Sequence, residues 1–167
     1  HYPLRRQRQM CIRDSYNIEF KDIPNEVIDK IKLIFMDNLG LIFASRNEDY
    51  IKAIKKSFTD SGNCSVPGHS EKFCPSDAII LSGTAIHGED FDDTFEGTPV
   101  HVGSVMSSSL LTAAEYYKLK PEEILKGFAV GSELMCRLSL VSPMAIHKQG
   151  FHPCLLYTSD AADEEDS

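Results

Sequence analysis

The chain has 167 residues, 42% of them hydrophobic and 25% charged, with a net charge of −8. That length and apolar content suit a packed globular core, and the acidic balance argues against nucleic acid or an anionic membrane surface as a partner. No apolar run approaches the length needed to cross a bilayer.

In chain order, the first fifteen residues stand apart. Arg5 to Asp14 and Cys154 to Asp163 can be written in codons as reverse complements of one another, offset by a few bases. Unrelated protein segments should not do this, and both resemble a translated transposase adaptor used in library preparation. Residues 1–15 and 154–167 are therefore expected to be adaptor-derived, and 16–153 to be part of a longer gene. By composition alone they would read as a basic arm and an acidic tail. The stretch 16–153 holds 13 basic and 19 acidic residues, a net charge of about −6, so the expectation of no polyanionic partner is unchanged. It keeps Cys64, Cys74 and Cys136, an odd number without metal-ligand spacing. That pattern fits a reducing compartment, and the expected location is the cytoplasm.

Pro24, Asn25 and Glu26 open the first helix, with proline in the first turn and an acid at the positive end of the dipole. Val27, Ile28, Ile31, Ile34, Phe35, Leu39, Ile42 and Phe43 recur at three- and four-residue steps, which predicts a broadly apolar and largely buried helix. Gly40 inside it predicts a close helix contact. Ser45-Arg46-Asn47 breaks the pattern, and Glu48 to Phe58 reads as a shorter amphipathic helix. Thr59 to Pro75 is loop-like, with weak strand signals near Cys64 to Val66. Ser76 or Asp77 is expected to cap a helix running toward His87. A further helix, rich in glycine, serine and alanine, should run from His101–Ser104 to about Tyr117, in an interior position where small residues permit close approach. Pro121-Glu122-Glu123 starts the last long helix, through about Ser142, with one more turn possible over 144–149. The predicted class is all-α, a helical bundle.

Between the third and fourth helices lies the stretch that sets this chain apart. Four carboxylates (Glu89, Asp90, Asp92, Asp93) fall within positions 89–93, between two imidazoles (His87, His101). Such a cluster does nothing for an apolar core, since each unpaired buried charge costs several kcal/mol. If the helix continues past His87, then His87, Asp90 and Thr94 share one face, with Asp92 and Asp93 pointing elsewhere to cap the next segment or pair with a lysine. A Gly-Thr-Pro turn could fold His101 back over that face. A carboxylate beside an imidazole suits proton transfer near neutral pH. Two plainer readings stand beside this one. The run could be a solvated acidic loop, or it could hold a divalent cation on carboxylate oxygens, although it lacks the alternation and glycine of a calcium loop. His152, between Gly150-Phe151 and Pro153, is aimed by a constrained backbone. Lys148 is a cation placed to meet a carboxylate, Cys136 reads as packing, and Ser107 to Ser109 have no nucleophile-elbow context.

Together, Asp37-Asn38-Leu39-Gly40, Gly83-Thr84-Ala85, His87-x-x-Asp90-Phe91-Asp92-Asp93-Thr94, His101 and Gly150-Phe151-His152-Pro153 resemble the MmgE/PrpD family. That family includes 2-methylcitrate dehydratases, cis-aconitate decarboxylases and related isomerases. The resemblance covers 16–153 in order. It implies a cofactor-independent, metal-free lyase acting on a small polycarboxylate, most simply a 2-methylcitrate dehydratase-like enzyme. It also implies a large helical domain, an α/β lid domain not contained in this stretch, a homodimer, and an active site between the domains. The implied catalytic residues are Asp90, His101 and His152, and the implied substrate-binding residues are Thr94, His87 and Lys148. Decarboxylase-like and iminodisuccinate epimerase-like chemistry are the alternatives within the family. Outside it, the alternative is a non-catalytic scaffold or a divalent-metal-binding module. Two positions depart from the family pattern: Ser82 replaces the usual asparagine before Gly-Thr, and His101-Val102-Gly103 replaces His-Pro-Gly. The cations that a polycarboxylate requires are expected from the part of the protein that follows.

Overall fold

The structure is a computed structural model, and it describes residues 17–141. Pro143 and the turn anticipated over 144–149 lie outside those residues, as do Lys148 and His152. A single 3-10 turn, Phe20–Asp22, leads into α1 (Asn25–Ser45) and α2 (Asp49–Ser57). A small hairpin follows, β1 (Ser61–Ser65) and β2 (Lys72–Phe73), and then α3 (Pro75–His87), α4 (Val102–Tyr117) and α5 (Pro121–Val141). The architecture is all-α with this one hairpin added. Among the described residues no helix is long and apolar enough to cross a membrane.

The helix starts follow local chemistry. Pro24 takes the N-cap of α1, and its carbonyl accepts from the N–H groups of Val27 and Ile28 at 3.0 and 3.1 Å. At α3 the cap is Cys74, with Pro75 as the first helical residue. The expected Ser76 or Asp77 cap is therefore displaced, because proline's fixed φ and missing N–H suit the first position. The α4 helix ends on Lys118 in the left-handed region, φ 56°, with the N–H of Lys118 and of Leu119 returned to the Ala114 carbonyl.

The largest core cluster joins Ile42 of α1, Ile51 of α2, Cys64, Val66 and Phe73 of the hairpin region, and Ala78, Leu81, Ala85 and Ile86 of α3. The hairpin thus covers one end of the bundle. Its strands are antiparallel, pairing Ser65 with Lys72 and both Ser61 and Cys64 with Phe73 across an irregularity. Gly62 is required there, since a Cβ would meet the Phe73 carbonyl oxygen at 2.1 Å. A second cluster, Val100, Val102 and Met135, anchors the loop before α4 against α5, with Cys136 packed on it as expected.

Two expectations for α1 fail. Only Ile28, Ile31, Asn38, Ile42 and Ser45 are buried, whereas Leu33, Met36 and Phe43 are exposed. A wide apolar stripe reports what a helix could bury, not how many neighbours it has among these residues. Nothing approaches a Cβ built at Gly40 within 4 Å, so the expected close contact is absent there. Close approach occurs instead on α4 and α5. A Cβ at Gly83 of α3 would lie 3.3 Å from the Ser108 hydroxyl of α4, and one at Gly131 of α5 would lie 2.4 Å from the Met106 sulfur. Gly103, Ser104, Ser107, Ser108 and Thr112 of α4 are buried, the interior position its small residues predicted.

Candidate active site

The α3 helix ends at His87, and the chain turns at once: Asp90 adopts φ 57°, a left-handed conformation that aspartate tolerates better than most residues. The helical face proposed for His87, Asp90 and Thr94 therefore does not exist. Thr94 is exposed in the following loop. That loop folds back through Phe95 N–H to Val100 O (2.9 Å) and Val100 N–H to Thr98 O (2.8 Å). It is fastened to α5 by the buried Thr98 hydroxyl donating to Ser139 at 2.9 Å. Val100 is fully buried, so the next residue, His101, is delivered to a defined place at the N-terminus of α4.

That place is beside His87 and Asp92. Nδ1 of His87 and Nδ1 of His101 each lie 3.0 Å from the same oxygen, Oδ1 of Asp92. The two rings are 4.5 Å apart and tilted by 60°. The Asp92 side chain is 0% exposed and its Oδ2 is buried with no hydrogen-bond partner among the described residues. His101 is buried, His87 half-buried, and Asp90 largely exposed with its Oδ1 3.6 Å from His101 Nε2. That last separation is too long for a direct hydrogen bond. Asp92, expected to point away, is thus the centre of the group, because the turn at Asp90 replaces the helical register that would have directed it elsewhere.

The other carboxylate, Asp93, caps α4: its Oδ2 accepts the Gly103 N–H at 3.1 Å. This was one of the two roles the sequence allowed. Burial raises the Asp93 pKa above the ordinary carboxylate range, opposed by the Gly103 hydrogen bond and aided by the charge on Asp92. Its Oδ1 is buried without a partner among the described residues, as is Oδ1 of Asn38, whose amide donates to Ser107 at 2.8 Å. A carboxyl whose folded pKa is raised costs nothing below the unfolded pKa, and its cost grows as pH rises toward the folded value. Asp93→Asn keeps an acceptor for Gly103 and removes the buried charge. It should raise the melting temperature of the full-length protein at pH 7–8, with the gain disappearing below about pH 4. A melting series across pH checks both parts.

His87, Asp90, Asp92 and His101 bring four potential ligand atoms within 4.8 Å of one another, a set that could take a divalent cation. In the observed geometry both Nδ1 atoms already meet Asp92 at hydrogen-bond length, so an ion would have to replace those bonds. Two clefts, of about 400 and 820 Å³, lie where α5 meets α1 and the N-terminal turn, and none of the four residues lines either. Arg137 lines both clefts and pairs with Glu133 at 2.5 Å, one helical turn away. The candidate site instead opens to solvent at Asp90.

The chain is thus a mainly helical domain with a carboxylate–imidazole cluster at a helix junction. The profile of the MmgE/PrpD N-terminal domain matches residues 15–162, and the chain belongs to that family. A cis-aconitate decarboxylase-like protein, oryM, of Aspergillus oryzae is 30% identical over 97 residues, covering 56% of this chain and 20% of that protein. The cis-aconitate decarboxylase of Mus musculus is 26% identical over 149 residues, covering 83% of this chain and 30% of that protein. The chain thus spans about a fifth to a third of the length of these relatives. No solved structure matches it significantly.

Proposed function

We propose that the chain is part of a lyase acting on a small polycarboxylate, in which Asp90 and His101 exchange a proton with carbon or with a leaving hydroxyl. The observation that supports this most is the convergence of His87, Asp90, Asp92 and His101 at one helix junction. Decarboxylation of a cis-aconitate-like substrate is the reading favoured by the relatives' names. One carboxylate leaves as carbon dioxide, its bonding electrons stay with the organic fragment, and an acid group of the site delivers a proton to carbon.

Dehydration of a 2-methylcitrate-like substrate is the second reading, favoured by a carboxylate and an imidazole 3.6 Å apart. One group takes a proton beside a carboxylate; the other protonates the hydroxyl, which leaves as water. In both readings Thr94, Lys148 and His152 complete the substrate pocket. Further cations that hold the substrate and a lid domain come from the rest of the protein, which works as a homodimer without a cofactor. Assaying the full-length gene product separately with cis-aconitate, 2-methylcitrate and iminodisuccinate should show turnover of one at least about tenfold above the others, the margin of about 1.4 kcal/mol in barrier height. No turnover of any of them would reject the reading.

A further inference from the structure

The role of Asp92 is assigned by neither the family motif nor the reaction. We propose that Asp92 is a shared positioning residue, one carboxylate oxygen that holds the imidazoles of both His87 and His101 with their Nδ1–H groups directed at it. Three observations lead here. Both Nδ1 atoms are 3.0 Å from Oδ1, and for one carboxylate oxygen to accept from both rings each Nδ1 must carry a proton. Asp92 is fully buried and its Oδ2 has no partner among the described residues, so its hydrogen bonding within this part of the protein is spent on the two rings. The rings arrive from separate elements, His87 at the end of α3 and His101 at the cap of α4, so no local helical register aligns them.

A bond at Nδ1 settles which tautomer the neutral imidazole adopts and which edge it presents. For His101, the presented edge is Nε2, facing Asp90 across a 3.6 Å gap. A proton can then be exchanged at Nε2 while Nδ1 stays bonded to Asp92. The same bond ties His87 to His101, so a change at one ring is felt by the other through a single oxygen. This proposal rests on the lyase reading for its kinetic consequence, but not for its geometry.

The test uses the full-length gene product and its Asp92→Asn and Asp92→Glu variants. Nitrogen-15 NMR of the histidines, at a pH where they are neutral, should show Nδ1 protonated in both His87 and His101. Asp92→Asn should disturb both signals together and lower kcat by about 10²-fold with KM changed less than threefold. Asp92→Glu, which keeps the carboxylate, should restore part of the kcat and both tautomers, and it serves in place of Asp92→Asn if that variant does not fold. An Nδ1 lone pair on either wild-type ring would overturn the proposal. So would an Asp92→Asn variant that melts earlier with both tautomers unchanged. Failure of the lyase reading would appear differently, as no turnover by wild-type enzyme with the tautomers still as expected.

Discussion

Truncating His101 to alanine in the full-length gene product should lower kcat by about 10²- to 10⁴-fold, the range for removing a positioned acid–base group. His101 is buried at the α4 cap, bonded through Nδ1 to Asp92 and facing Asp90 through Nε2. Its removal deletes the ring proposed to exchange the proton and opens a gap beside His87. Asp90→Asn should cost a comparable factor, and the double variant should lose little more than either single one, because groups acting on one proton are not additive. Steady-state kinetics on the three variants provides the measurement. A helical scaffold whose acidic loop is merely solvated predicts unchanged activity in all of them, and that result would discard the catalytic roles.

Gly103→Ala should be strongly damaging, at about 2–4 kcal/mol of stability. An added Cβ would sit 1.8 Å from Oδ1 of Asp93 and 2.7 Å from Nδ2 of Asn38. The Asp93 carboxylate cannot move away freely, since it is partly buried and accepts the Gly103 N–H that caps α4. Displacing it leaves that N–H without its acceptor and shifts the start of the helix, with His101 two residues earlier. Thermal melting of the full-length protein should show the loss. Asp93→Gly in the same chain should recover part of it, by removing the clashing carboxylate. If Gly103→Ala melts like wild type, the close packing described at this helix start is wrong.

Much of this molecule was legible in its sequence, and the reason is local. Pro24 and Pro121 sit at or beside helix starts because a ring-locked φ and an absent N–H are harmless there. The three- and four-residue spacing in α1 and the amphipathic pattern of α2 gave their extents to within a residue or two, and Pro121-Glu122-Glu123 gave the start of α5. The small residues of α4 foretold its interior position, since a serine or glycine is the side chain that admits a neighbouring helix. The motif from His87 to Thr94 marked the stretch whose His87, Asp90 and Asp92 converge with His101.

The amount of burial was not legible. The stripe on α1 measures apolarity, while exposure of Leu33, Met36 and Phe43 depends on which elements come to rest against them. Nor was the inner order of the site. Treating Asp90 as helical put it on a face with His87 and Thr94 and sent Asp92 away; the left-handed turn at Asp90 reverses this. A signal existed in principle, since Gly88 follows His87 and commonly closes a helix, but the turn's outcome is not a local matter. His101 reaches Asp92 because Val100 is held against Met135 and Thr98 is bonded to Ser139 on α5, roughly forty residues later.

The sequence by itself therefore determined the helices, their order, the family and the stretch that holds the carboxylates and imidazoles, all of which depend on interactions between near neighbours. Only the tertiary structure decided which carboxylate stands between the imidazoles. That depends on contacts between distant segments, whose geometry no spacing along the chain records.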